Sequence, residues 1–279
     1  KDTTQILNQT VKMDLGLTDE VLTKVTFSKM SMSYDVDLGL KSDAKIYVTL
    51  PGATLPGTST AFTDSIVIGR TGKKTGDFVL DGYEVTLDSN RIATNMTVVL
   101  IKTPSPIDFD SSDVARFKFT PAGIKIASVE GFFGNRIIDF VDESVSTGLS
   151  DDELLGALKL VSPVITMHFD NSFDIPMEFS QLNMVAKAAS GDVTLTGLPL
   201  PFAIAAGPNN TSVTSSMTIA APATNIDVAI NSQATEFIVG GKATINPNED
   251  ATSIVNKADS SSKLTVRLDV EVPMHGTIK

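Results

Sequence analysis

Histidine is the side chain most often used for proton transfer near neutral pH, and the sequence contains two. His168 lies in the alternating segment 164–169, on the face opposite its larger apolar side chains. In that position it can act as a base or a ligand, or it can lie at the solvent-facing rim of a sheet. His275 is predicted to be exposed. Neither histidine belongs to a sequence motif with the spacing of metal ligands. The sequence leaves open whether a Ser-His-Asp triad forms, because the members of a triad come together only in the folded protein.

Sequence motifs for nucleophilic or phosphate chemistry are absent. With no cysteine, the chain has no disulfide, zinc-thiolate site or cysteine nucleophile. It has no G-x-S-x-G elbow and neither of the glycine-rich phosphate-binding patterns. The basic segment 69–74 lies between two predicted strands, which favours a hairpin turn. We therefore predict a protein that is not an enzyme, with no catalytic, cofactor-binding or metal-binding residues assigned.

Carboxylates are abundant, and their densest loop cluster is Asp108, Asp110 and Asp113. Such a cluster can bind Ca²⁺ or can cap turns in solvent. It departs from the EF-hand pattern, because Asp113 stands where glycine is required and Phe119 replaces the bidentate glutamate. A glycosidase-like pair of carboxylates needs a separation of roughly 5–10 Å in space, which spacing along the chain does not supply.

The elements that would position these residues are strands. Apolar and polar residues alternate through 30–40 and 263–272, which is the period of a strand with one buried face and one wet face. Strands at short intervals, separated by Gly, Pro and Asn turns, favour antiparallel layers over βαβ units. The predicted strands are 25–28, 30–40, 45–50, 61–68, 77–80, 83–88, 95–102, 115–120, 123–130, 164–170, 176–186, 192–198, 213–220, 225–231, 235–245 and 263–273.

Two segments break the strand pattern, and the second suggests a division of the chain. Segment 14–23 is predicted as a short helix, and 150–161 as a better one, with a capping box and apolar residues at helical spacing. We predict an N-terminal β unit over 1–140, a connector with a short helix over 141–162, and a C-terminal β unit over 163–279. The fold class is mainly β: elongated antiparallel sandwich-like or rolled-sheet units with one or two short helices.

Composition restricts the partners. The formal net charge of −11 disfavours nucleic acid and anionic membrane surfaces, which need Lys and Arg. Hydrophobic residues make up 42% of the chain, enough for a core, and the absence of Trp makes that core aliphatic. The most apolar window, 198–207, is too short to cross a membrane and contains prolines, so a transmembrane protein is not predicted.

Aromatic and proline-rich segments offer candidate contact surfaces. Phe132 and Phe133 are bracketed by glycines, so the pair can be a binding tip or the cap of a core. The apolar segment 198–202 can form the lip of a groove or an edge strand protected by proline. Loops 105–113 and 207–212 are predicted to carry binding at one end of a sandwich.

Three segments resemble uncharacterised exported lipoproteins of Bacteroidetes gut bacteria. They are VEGFFGNRIID at 129–139, SPVITMHFDNSFDIPMEF at 162–179 and KLTVRLDVEVP at 263–273. The resemblance implies a β-sandwich ectodomain hung from the outer membrane by an N-terminal lipidated cysteine, and this sequence contains no cysteine. It implies no activity.

The predicted function is a non-catalytic cell-surface binding or structural module, adhesin-like, exported to the outer-membrane surface or the periplasm. Its partner is an unknown protein, glycan or lipid. One alternative is a carrier of lipid or an apolar ligand, with Met30 and Met32 as an adaptable lining. A second is a carbohydrate-binding or carbohydrate-active protein, although the chain is poor in Trp and Tyr.

Overall fold

The protein is an antiparallel β protein, which confirms the predicted fold class. The computed structural model describes residues 3–101, 107–108, 110, 113–147, 160–271 and 273. The chain divides into two compact units, Lys1–Phe132 and Phe133–Lys279. This division falls before the predicted boundary at residue 140, because residues 137–146 form a strand that pairs within the second unit. The predicted helix at 150–161 lies outside the described residues except at 160–161.

The first unit is built from long strands that pair mostly with neighbours distant in sequence. Its strands are β1 (Thr3–Asp14), β2 (Val21–Leu38), β3 (Ala44–Thr54), β4 (Ala61–Ile68), β5 (Lys73–Val79), β6 (Glu84–Thr86), β7 (Arg91–Ile101) and β8 (Ala115–Phe132). Strands β1, β7, β3 and β4 pair in that order, and β5 and β8 flank the second half of β2. Short β6 pairs with both β3 and β2 and so joins these two groups into one rolled sheet.

The core of the first unit is closed and aliphatic with a small aromatic cluster. Met30 and Met32 are almost completely buried in it, so the predicted ligand lining of methionines is packed core. The ring of Phe62 packs edge to face with those of Phe78 and Tyr83, at centroid distances of 5.9 Å and 5.5 Å.

The second unit is a sandwich of two antiparallel sheets. Its strands are β9 (Ile137–Ser146), β10 (Val164–Asn171), β11 (Met177–Lys187), β12 (Val193–Thr194), β13 (Phe202–Ile204), β14 (Val213–Ala220), β15 (Glu236–Ile245), β16 (Asn256–Asp259) and β17 (Leu264–Glu271). A 3-10 turn spans Pro208–Asn210, and helix α1 spans Ile226–Asn231. One sheet has the order β14-β10-β17, and the other has β12-β11-β15-β9 with β13 also on β11.

Three predictions about local structure were wrong. Segment 14–23 is not a helix: residues 15–20 link β1 to β2. Asn90 holds the end of this link, because its Oδ1 accepts from Leu22 N at 2.7 Å and its Nδ2 donates to Glu20 O at 2.7 Å. The strands predicted separately at 115–120 and 123–130 are one continuous strand, β8, and the predicted break between them is an irregularity where the register with β2 shifts. The strand predicted at 225–231 is helix α1.

Helix α1 was mistaken for a strand because its branched apolar residues alternate in sequence. The side chains that it buries are those of Ile226, Ala229 and Ile230, which lie at helical spacing. In the described part of the chain, no helix is both long and apolar enough to span a membrane.

Candidate functional site

His168 lies at the middle of β10, on the solvent-facing side of the three-stranded sheet, as the alternation predicted. Its Nδ1 is 2.9 Å from Ser216 Oγ on β14, and its Nε2 is 3.0 Å from Asp269 Oδ2 on β17. Arg267 donates to both oxygens of Asp269, at 2.5 and 2.6 Å. The Arg267 guanidinium lowers the pKa of the Asp269 carboxyl, and His168 adds to this effect. The register of three strands therefore assembles a Ser-His-Asp array.

The surroundings of this array do not resemble an acyl-transfer site. Strand β10 is paired on both sides, with β14 and with β17, so its backbone amides are engaged in the two ladders. An oxyanion hole needs free donors aimed at a developing charge, and a regular sheet face supplies none. Ser216 is exposed on this face. We interpret the array as a polar cross-strand network.

A lysine lies against the acidic loop for which the sequence left calcium binding or turn capping open. Lys41 Nζ lies 2.8 Å from Asp110 Oδ2 and 3.3 Å from Asp113 Oδ2, and it donates to Asp108 O at 3.4 Å. The Asp110 carboxylate, followed by that of Asp113, raises the pKa of Lys41. Among the described residues, no group of acidic or histidine side chains has an arrangement that could hold a metal ion.

A cleft with a mostly apolar lining lies between the two sheets of the second unit. Its volume is about 270 Å³, and we call it the β9–β17 cleft because these two edge strands form its mouth. Strand β9 contributes Phe140, Val141, Glu143 and Val145, and β17 contributes Val266 and Leu268. Side chains of β10, β11 and β15 complete the lining. Glu143 is its charged member.

A glycine pair and a β-bulge lie beside this cleft. Other groups closely approach Gly240 and Gly241 in β15: a β-carbon on Gly240 would collide with the Asp142 carboxylate, and one on Gly241 with the backbone of Gln181. Opposite Gly240, β9 contains an extra residue, because Val239 pairs with Glu143 while Gly241 pairs with Phe140. The sequence signal was the Gly-Gly pair inside a predicted strand, which marks a bulge or a close approach of another group.

Three phenylalanine rings form the wall of the cleft. The ring centroid of Phe179 is 5.0 Å from that of Phe140 and 5.3 Å from that of Phe169. These rings belong to β9, β10 and β11, so they tie both sheets together behind the opening. The wall is therefore built from fixed side chains rather than from a loop.

The mouth of the cleft exposes apolar surface beside acidic groups. Val141 is 80% exposed and Val266 is 41% exposed. Asp142 and Glu143 follow Val141 along β9, and neither forms an ion pair with a cationic side chain in the described part of the chain. Nearby Asp139 is paired with Lys242 at 3.3 Å. The cleft therefore joins an apolar interior to a negatively charged rim.

Other sequence-predicted candidates have structural roles or fall outside the description. Phe132 is buried, and Phe133 packs against the core of the second unit, so the pair is not an exposed tip. Segment 198–201 forms no strand, and its two leucines pack against the core. His275 and most of loop 105–113 lie outside the described residues.

No protein-family model and no curated protein matches the chain. Among solved structures it is similar to a "putative secreted protein" from Parabacteroides distasonis, with 13% identity, 95% of this chain and 82% of that chain covered, and a TM-score of 0.25. It is also similar to the structure of infectious bursal disease virus, Gx strain, with 12% identity, 96% of this chain and 81% of that chain covered, and a TM-score of 0.17. For the PBSX exported protein XepA the identity is 8%, the coverage is 93% of this chain and 86% of that chain, and the TM-score is 0.15. TM-scores this low do not establish a common fold. Membership in the exported lipoproteins that the sequence segments resemble stays a prediction.

Proposed function

We propose that this protein is an exported, non-catalytic binding module, and that the β9–β17 cleft receives an apolar group of its partner. The observation that carries the proposal is the cleft itself: about 270 Å³, lined mostly by Phe, Val, Leu and Met side chains, and open beside the exposed Val141 and Val266. Concave apolar sites with one or two polar groups are the usual form of a binding site.

The volume of the cleft indicates the size of the group. A cavity of roughly 150 Å³ is enough for benzene, and drug-sized ligands occupy roughly 300–1,000 Å³. A cleft of about 270 Å³ therefore suits a branched side chain or a compact aromatic molecule of one to three rings and not a lipid with long acyl tails. This favours a binding module over the lipid carrier. The aromatic side chains in the cleft wall are Phe, with no Tyr or Trp. These rings offer a glycan no hydrogen-bonding groups, which also disfavours a carbohydrate site.

The test uses a neutral apolar fluorescent probe, N-phenyl-1-naphthylamine, titrated into the purified protein. We expect saturable emission from one site and its loss in Val266→Lys, because a lysine at the mouth places a charge where the probe enters. The matched control is Val228→Lys on helix α1, since Val228 is 54% exposed in the same unit and lies outside the cleft. Equal probe binding by wild type and Val266→Lys would contradict the proposal.

A further inference from the structure

The two sheets of the second unit differ in width. Within the described residues, the sheet β14-β10-β17 has three strand positions, and the sheet β12-β11-β15-β9 has four. The uncovered strand is β9, whose inward-facing Glu143 and neighbouring Val141 are exposed to solvent. The β9–β17 cleft is therefore the space that one further strand beside β17 would cover.

Strand β17 has the features of an edge that can accept a strand. It pairs with β10 in an uninterrupted register from Leu264 to Glu271, and no other described strand pairs with it. Its inward side chains alternate with polar ones, and Val266 and Leu268 reach the cleft. A regular edge presents a row of free backbone donors and acceptors. Strand β9, by contrast, is protected by its bulge and by the inward-pointing Glu143.

We propose that an extended peptide segment of a partner protein adds as a strand to the free edge of β17. Its alternate apolar side chains enter the β9–β17 cleft, and one cationic side chain lies beside Glu143. This inference rests on the proposed function and names the partner of the same site. Main-chain hydrogen bonds to β17 supply affinity, and the cleft selects the side chains.

The negative charge at the rim of the cleft is the reason for proposing a cationic residue in the added strand. Glu143 is the charged residue in the lining, and Asp142 precedes it on the bulge. Asp139 is already neutralised by Lys242, so the unmatched charge is concentrated at 142–143. A lysine or arginine at the corresponding inward position of the added strand would pair with this charge, whereas an acidic residue there would be repelled.

The first experiment tests strand addition. The probe is a synthetic acetylated peptide of the length of β17 in which threonine alternates with valine and one valine is replaced by lysine. Two N-methylated versions carry methyl groups on alternate amides, one on the threonine set and one on the valine and lysine set. Because successive amides of a strand point to opposite sides, only one version can lose its hydrogen bonds to β17. We expect that version to bind at least about tenfold more weakly and the other to bind as the parent does.

The location of the peptide is read from amide hydrogen exchange. We expect new protection along Leu264–Glu271 and none along the edge strand β1 of the first unit. Protection at β1 in place of β17, or equal effects of both methylated sets, would overturn the inference.

Sedimentation of the protein alone provides a further check: a dimer that the peptide dissociates would make a second copy the strand donor and would overturn the assignment to a partner protein.

Charge selection is tested with Glu143→Gln. We expect it to weaken the lysine peptide by about three- to fivefold and to leave an all-valine version unchanged. Asp139→Asn is the matched control, because Asp139 is on the same strand and already paired with Lys242. No loss of lysine-peptide affinity in Glu143→Gln overturns the charge assignment.

The probe and peptide experiments together distinguish the two proposals. If the neutral probe binds and the peptides do not, only strand addition is wrong. If the probe does not bind, the proposed function is wrong.

Discussion

The side-chain amides of Asn246 and Asn256 pair reciprocally in the interior of the second unit. Asn246 Nδ2 donates to Asn256 Oδ1 at 2.7 Å, and Asn256 Nδ2 donates to Asn246 Oδ1 at 2.8 Å. Both residues are fully buried. Asn256 Oδ1 also accepts from Phe133 N at 3.1 Å, and Asn246 Nδ2 donates to Gly134 O at 3.0 Å. The pair thus satisfies backbone groups that the strands do not.

Asn256→Ala should lower the free energy of unfolding by about 2–4 kcal/mol, because Phe133 N loses its acceptor and the buried Asn246 Oδ1 loses its donor. Urea unfolding measures the loss. Asn256 is the better position to substitute, since Asn246 has a positive φ of 48° that alanine would resist. The control is exposed Asn183→Ala on β11, which should change stability by less than about 0.5 kcal/mol.

Gly241→Ala should destabilise the second unit by about 1–3 kcal/mol. A β-carbon at this position would collide with the backbone of Gln181 and Leu182 in β11, which cannot move without disturbing the sheet. Gly69→Ala is the control, because the nearest atom to its β-carbon would be Asp43 Oδ1 at 3.8 Å. Thermal unfolding of both variants checks the difference, and similar melting temperatures would contradict the steric argument.

Acid should remove the contribution of Asp250 to stability. The Thr252 hydroxyl, followed by the Thr252 and Ser253 backbone, lowers the pKa of the Asp250 carboxyl in the folded protein. The stabilisation is therefore complete above the unfolded value of about 3.9 and is lost as the pH falls through the lower folded value. The stability difference between wild type and Asp250→Asn should shrink between about pH 6 and pH 2.5. A constant difference would show that the charged form is not favoured by folding.

Calcium should not stabilise the wild-type protein, because the Lys41 ammonium group lies between Asp110 and Asp113. We expect no calcium-dependent shift of the melting temperature. Lys41→Met should lower that temperature in the absence of calcium, since the Asp113 side chain is only 4% exposed and loses its cation. A stabilising effect of calcium on wild type would contradict this account of the loop.

Ser216→Ala should leave ester hydrolysis unchanged. The Ser216–His168–Asp269 array has no backbone donors free to stabilise an oxyanion, so any slow cleavage of a p-nitrophenyl ester should be the same in wild type and variant. A serine-dependent rate that also disappears in His168→Ala would establish catalysis and contradict the interpretation of the array as a surface network.

Alternation in the sequence predicted much of the fold because each strand buries one face. It placed His168 on the solvent-facing side correctly, since that depends on local period alone. It could not show that Ser216 and Asp269 flank His168, because their registers are set by strands distant in the chain. Strand β9 was missed because its bulge interrupts the period.

The cleft was beyond prediction for a similar reason. Its lining comes from strands β9, β10, β11, β15 and β17, which only the sandwich brings together. The Gly240–Gly241 pair was visible in the sequence, and glycines in a strand indicate a bulge or the close approach of another group. Which groups line the cleft depends on the relative width of two sheets, a property of the whole topology.

The bulge in β9 affects whether two copies of this protein can associate through their clefts. Every copy carries Asp142 and Glu143 at the same opening, so two molecules that approach mouth to mouth bring like charges together. Glu143 and the exposed valines Val141 and Val266 line the same opening, so any contact between two copies that buried these valines would also bring their carboxylates together. We therefore expect the cleft to disfavour self-association.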